Sequence, residues 1–302
     1  MAADQHKLEC SILKTVLYSD LFDYPLTPDE ITHYLIGVAG TIDQVCASLS
    51  APVWLDEQLA YVDGYVMARG REALVKRRID RTRSSDRLWR HARRFIRVLS
   101  ILPFVRMIGV TGALAMDNSA DGDDIDVMIV TAPDRVWLTR ALAVLLVYVG
   151  KLCGDTLCPN YLVSENALAL EHRSLFVAHE FMQMVPVYGL DVYNRMCAAN
   201  TWIEAILPNA RRPLRAEPEH QPGWIGRAFK RWAERWLAGA IGDRLEAWEM
   251  RRKLRKFQEK LGQPDGDAIL DRDHVKGHFD DYGGPVMRLY AERLAQHVSG
   301  ET

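Results

Sequence analysis

Two short apolar runs, FVRMIGV at 104–110 and IDVMIV at 125–130, constrain this chain more than anything else in it. Each is too short for a buried helix, rich in β-branched residues and closed by a polar or glycine-containing turn, so each reads as a buried strand. Between them lies TGALAMDNSADGDD, which with Asp126 brings five aspartates to the mouth of the second strand. Side chains two apart on a strand face the same way. Asp124 and Asp126 therefore present two carboxylates on one face, while Ile125 and Val127 point into the core.

Five aspartates at this spacing invite two readings. An EF-hand calcium loop starting at Asp117 begins well with Ser119, Asp121 and Gly122, but its eighth position is Asp124 and its twelfth is Met128 instead of a bidentate Glu. It is also flanked by strand-like segments where helices belong, so the calcium reading fails. Two hard oxygen donors on one strand face suit Mg²⁺ or Mn²⁺, which keep several waters and complete their shells with substrate phosphate. Such a pair supports in-line nucleotidyl transfer by two metals. A phosphate site is expected at the strand-to-helix turn Thr111-Gly112-Ala113-Leu114, where glycine permits close backbone approach and a helix end favours anions.

Hydrophobic, Gly, Gly or Ser, a gap of about ten, then Asp-hydrophobic-Asp: read as Thr111-Gly112-Ala113 followed by Asp124-Ile125-Asp126-Val127, this chain resembles the polymerase-beta-like nucleotidyltransferase superfamily. The resemblance covers residues 100 to 165. LYSDLFDYPLTPDEI extends it to a bacterial branch with a winged-helix-like N-terminus ahead of the nucleotidyltransferase domain. It implies an α+β, helix-rich fold with a small mixed sheet. It also implies an NTP substrate, with catalysis and metal binding at Asp124 and Asp126 and nucleotide binding at Thr111, Gly112, Ala113, Asn118 and Ser119. Two positions depart from the pattern. The usual Ser is Ala113, for which Thr111, Asn118 or Ser119 would compensate; the third carboxylate of active members is replaced by Asn160, with Glu165 and Glu171 as nearby substitutes. The acceptor stays open: protein, RNA or small molecule. A catalytically degenerate nucleotide-binding or scaffold protein on the same fold is the alternative.

Organisation follows from charge and periodicity. Residues 1–68 hold ten acids against two lysines, and residues 69–106 hold thirteen Arg and Lys against three acids. The first segment reads as three helices and a hairpin, with Thr27 as a helix cap ahead of Pro28, Asp29 and Glu30, and Asp63-Gly64 as the hairpin turn. That is a winged-helix-like pattern (1–70). Its acidity argues against DNA as the partner, because phosphate contacts need Lys and Arg, and leaves docking or dimerisation.

The nucleotidyltransferase-like region (71–210) is expected to open with a long basic helix from Arg71 to Leu102, broken near Ser84-Ser85. Its apolar face would be Leu88, His91, Ala92, Phe95, Val98 and Leu99. Arginines of the 90 to 106 region would neutralise phosphate. Residues 134–152 read as a buried helix, 157–163 as a third strand, and helices dominate from Ser174. In the helical C-terminal region (211–302), WIGRAFKRWAERWLAGAI sets Ile225, Phe229, Trp232, Trp236 and Ile241 on one side of a basic helix. A membrane surface, the protein's own core, a second subunit or an oligonucleotide would each use such a pattern.

His179-Glu180 lacks the second His of a zinc-protease helix and reads as a helix-interior histidine with its own hydrogen bond. DRDHVKGHFDDYGG, with His274 and His278, reads as a short polar loop. Five cysteines without CxxC spacing support neither a disulfide framework nor a zinc ribbon. No stretch approaches the ~20 apolar residues a bilayer span needs. The expectation is a soluble cytoplasmic protein with no membrane span, able to form a homo-oligomer.

Overall fold

The computed structural model describes residues 2–50, 55–151, 157–261, 269–276 and 283–298. The chain is mixed α+β and rich in helix, with a small mixed sheet. None of its described helices is long and apolar enough to cross a membrane.

Three helices open the chain: α1 (Ala2–Asp20), α2 (Pro28–His33) and α3 (Ile42–Ser50). Thr27 caps α2 through a full capping box with Glu30, satisfying two otherwise orphaned backbone donors. A single turn, α4 (Leu55–Gln58), precedes the hairpin β1 (Leu59–Val62) and β2 (Tyr65–Ala68). Asp63 and Gly64 turn the hairpin, both at positive φ (51° and 83°), as a two-residue primed turn requires.

Helix α5 (Leu74–Leu99) runs unbroken past Ser84-Ser85. Ser85 is buried and accepts a hydrogen bond from the Ser119 backbone, which removes the reason for a break. The buried stripe is Ser85, Trp89, Ala92, Phe95, Ile96 and Leu99, while Val98 is exposed. The expected face is rotated because the wide indole of Trp89 seeks the core more strongly than Val98 does.

The sheet is built from β3 (Val105–Val110), β4 (Ile125–Thr131), β5 (Leu157–Ser164), β6 (Val185–Tyr188) and β7 (His274–Lys276), in the order β6-β3-β4-β5-β7. β4 and β5 are parallel and the other pairs antiparallel. A one-turn helix, α6 (Gly112–Ala115), joins β3 to the acidic loop, and α7 (Val136–Lys151) follows β4. On β4, Ile125, Val127 and Ile129 enter the core shared with α5 and α7. Met128 and Val130 enter a second core under α8 (Leu175–Gln183) and α9 (Leu190–Ala199). Period-2 alternation thus puts Asp126 on the α8 side of the sheet. Helix α7 is not buried all round: Leu145 and Tyr148 are exposed.

The C-terminal region divides. α10 (Trp224–Leu237) and α11 (Ala240–Leu261) pack on each other, and α11 packs on α7. α12 (Gly283–Val298) instead joins the N-terminal core, where Tyr290 meets Tyr18 edge-on at 5.4 Å and donates to the Lys14 carbonyl, while Arg293 pairs with Asp20. A second tie runs through Arg78, which pairs with Glu30 (2.8 Å), lies over the Tyr24 ring and donates to the Met116 carbonyl. The N-terminal unit is thereby held against the loop that follows α6.

Candidate active site

The five aspartates separate into two groups. Asp117 accepts from the Trp89 indole (3.2 Å) and pairs with Arg215; Asp121 accepts from Ser84 (2.8 Å) and Arg87 (2.6 Å); Asp123 accepts from the Ala120 backbone. These three fold the loop. Asp124 and Asp126 have no such duty and open, with Asp123, Ala113, Gly122 and Cys158, onto one cavity of about 400 Å³. Asp124 is exposed just before β4, and Asp126 is largely enclosed within it.

Gly112 makes this arrangement possible. Its φ of 66° is one that L side chains rarely adopt, and a Cβ on it would stand 2.8 Å from Asp126 Oδ2. The Thr111 backbone donates to the Asp126 carbonyl at 3.0 Å, locking the turn against β4. With only four residues, α6 supplies no helix dipole worth the name, contrary to the expected anion-favouring helix end. What it offers is the leading N–H groups of a single turn.

Asn160 stands where a third carboxylate was sought. β5 carries an extra residue opposite Val127 and Met128, whose partners are Pro159 and Tyr161, so Asn160 is the bulged residue. Pro159, which has no N–H to give a ladder, marks the irregularity. The bulge aims the amide at Asp126: Nδ2 donates to Asp126 Oδ1 at 2.5 Å, and Oδ1 accepts from Cys158 Sγ at 2.8 Å. Burial raises the Asp126 carboxyl from 3.8 to about 6. The Asn160 hydrogen bond opposes that rise, and Asp124 and Asp123 add to it.

On the α8 side, Asp126 also borders a larger cavity of about 630 Å³ between the sheet, α8 and the N-terminal unit. Thr111, Gly112, Ala113, Asn118, Asn160 and Glu171 line it. Ser119 does not: it is buried beside Ser85, because its backbone serves the loop's packing on α5. Glu165 does not either. It pairs with Arg195 and Arg106 at the opposite end of β5. Nor do the arginines of the 90 to 106 region reach the cavity: Arg93 pairs with Glu217, Arg106 with Glu234, and Arg90, Arg94 and Arg97 face solvent. The N-terminal half of α5 sends Arg81 instead, which donates to Asn118 Oδ1 (3.1 Å), and β7 contributes Lys276.

Glu180 is the residue that sequence reasoning passed over. Its side chain is exposed on the wall of the larger cavity, and the protein mass around that wall raises its carboxyl from 4.5 to about 7, with Lys276 opposing the rise and Asp126 adding to it. One signal was available: Glu180 is the only charged residue of α8 apart from the histidine beside it. That histidine, His179, is structural, as expected. It is buried, donates to the Leu175 carbonyl and stacks on Tyr18 at 4.1 Å. His274 lies on an edge strand instead of a loop, held by Asp271; His278 lies outside the described residues.

Among the described residues, no group of three or more His, Cys, Asp or Glu side chains is gathered for a metal. Asp124 and Asp126 nonetheless fit a hard divalent cation that draws its other ligands from water and phosphate, since both are oxygen donors on one cavity and Gly112 leaves space beside them. No protein-family model, curated protein or solved structure matches the chain.

Proposed function

We propose that this protein is a Mg²⁺-dependent nucleotidyltransferase on a polymerase-beta-like fold, moving a nucleoside monophosphate from a cytoplasmic NTP to an acceptor. One observation carries the reading: Asp124 and Asp126 open on one cavity, and the positive-φ Gly112 leaves beside Asp126 the space that a Cβ would take. Bound there, Mg²⁺ or Mn²⁺ would neutralise charge on the triphosphate and on the departing pyrophosphate. Asp124 and Asp126 hold the cation, and the Thr111–Ala113 turn receives phosphate oxygens. Asn160 orients Asp126, and Arg81 and Lys276 supply positive charge from the far walls. In the transfer, the acceptor's oxygen or nitrogen bonds to the α-phosphorus as the bond to the bridging oxygen of pyrophosphate breaks. Glu180, which lines the larger cavity together with Asp126, takes the acceptor's proton. The helices and hairpin of residues 1–70 form a winged-helix-like unit that encloses the acceptor side of the cavity through Tyr18, Phe22 and Tyr24.

A second reading is favoured by the amide at Asn160: a nucleotide-binding scaffold in which the third carboxylate has been lost. The test is incubation with α-labelled NTPs, Mg²⁺ and cell extract. Transfer of label by the wild type and its loss in Asp124→Asn and Asp126→Asn supports the enzyme. Transfer that survives both substitutions overturns the assignment.

A further inference from the structure

The paired helices α10 and α11 carry an apolar face that stays exposed among the described residues. Trp224, Ile225, Phe229, Trp232 and Trp236 on α10 are between 47% and 74% exposed, and Ile241, Leu245 and Trp248 continue at helical spacing on α11. The rings touch in series, Phe229 to Trp232 at 6.1 Å and Trp232 to Trp236 at 6.3 Å, so this is one stripe and not scattered surface residues.

The stripe is held outward rigidly. On the opposite side of α10, buried Lys230 donates to the Ser100 and Val105 carbonyls (3.0 and 2.6 Å) and to the Tyr188 hydroxyl (2.9 Å). Gly226 has no space for a side chain against Ile101. At the elbow between the helices, Gly242 sits directly on the Leu237 carbonyl.

Charge chooses the occupant. Every carboxylate described on the two helices is spent on the protein itself: Glu234 on Arg106 and the Phe104 backbone, Asp243 on Arg135, Glu246 on the Trp137 and Leu138 backbone, Glu249 on Arg252. Arg227, Arg231, Arg235, Arg244 and Arg251 are exposed, and none forms an ion pair among the described residues. A second copy docking through this face would bring arginines against arginines and, among the described residues, offer no free acid from the same surface. Single-stranded RNA would want base-stacking rings throughout, whereas Ile225, Ile241 and Leu245 interrupt them. An anionic bilayer surface meets both requirements. Indoles and aliphatic chains settle at the headgroup boundary, and arginines beside them meet lipid phosphate.

We propose that the α10–α11 face docks the protein on anionic lipid surfaces, an attachment in the plane of the interface that does not depend on the reading of the aspartate cavity. The test is co-sedimentation of the full chain with phosphatidylglycerol-containing vesicles and with pure phosphatidylcholine vesicles, alongside sedimentation velocity and a single-stranded RNA retardation assay. The expected result is binding to the anionic vesicles, weakened by salt, with a blue shift of tryptophan fluorescence. Trp232→Ser/Trp236→Ser and, separately, Arg231→Glu/Arg235→Glu should each lower partitioning on the order of tenfold or more, with circular dichroism unchanged because all four side chains are exposed. No vesicle binding, a dimer that the same substitutions disperse without vesicle binding, or RNA binding that they abolish without vesicle binding would each overturn the proposal.

Discussion

Replacing Asp126 by Asn should make the metal-free protein more stable, and only above a defined pH. Burial lifts this carboxyl from 3.8 to about 6, with Asn160 opposing and Asp124 and Asp123 assisting. A carboxyl raised on folding binds its proton more tightly in the native state. Native stability therefore falls as pH climbs from 3.8 through 6, and the full penalty stands above 6. At 1.36 kcal/mol per pKa unit the rise is worth ~3 kcal/mol, and water in the two cavities screens part of it, leaving ~2–3 kcal/mol. Asn has no charge to desolvate and its carbonyl still accepts from Asn160. Urea unfolding in EDTA at pH 8 should then show Asp126→Asn above wild type by ~2–3 kcal/mol, with the gap closing between pH 6 and pH 4. Glu180, which Asp126 pushes upward, gains in the same direction; groups elsewhere cancel in the comparison. A variant no more stable than wild type at pH 8, or a gap that ignores pH, would refute the claim that Asp126 is a desolvated carboxylate kept for its chemistry at some expense of stability.

Gly112→Ala forces a Cβ onto a positive-φ backbone 2.8 Å from Asp126 Oδ2; a loss of ~1–2 kcal/mol in thermal or urea unfolding is expected, together with at least tenfold weaker NTP binding by calorimetry. Asn160→Asp sets a second carboxyl against Asp126, so Tm should fall in EDTA and rise more steeply with added Mg²⁺ than the wild type does; equal Mg²⁺ response in both proteins would count against a cation at Asp126. His179, held to about 4 by burial, is neutral when folded and ordinary when unfolded. Its neutral form contributes stability present above pH 6.5 and lost as pH falls toward 4, so His179→Gln should flatten the acid limb of a stability–pH curve over that window.

What was legible beforehand came from local chemistry. The alternation of β4, the helix cap at Thr27 and the hairpin turn at Asp63-Gly64 each depend on residues within one or two turns of themselves. The two-residue period of the strand accounts for the side that Asp126 faces, whereas Asp124 precedes β4 and its opening onto the same cavity is set by the loop. What escaped was set by distant pairing. β6 is four residues long with a proline in it, and β7 is three residues; neither has a pattern of its own, and both become strands by joining the sheet's edges. Glu180 and Arg81 reach the cavity from helices far along the chain in either direction. Glu165, expected near Asp126 by its closeness in sequence to Asn160, was instead carried to the other end of β5 and claimed by Arg106 and Arg195. The rotated face of α5 has a different cause: counting Val98 as apolar ignored how much more area Trp89 buries.

The central claim is that Asp124 and Asp126 grip a divalent cation that carries a nucleoside triphosphate. Titration calorimetry with a non-hydrolysable NTP, run in Mg²⁺ and again in EDTA, tests it most directly. The account predicts binding in Mg²⁺ that disappears in EDTA and is lost in both Asp124→Asn and Asp126→Asn. Binding of equal strength with and without Mg²⁺, or retained by both variants, would contradict it.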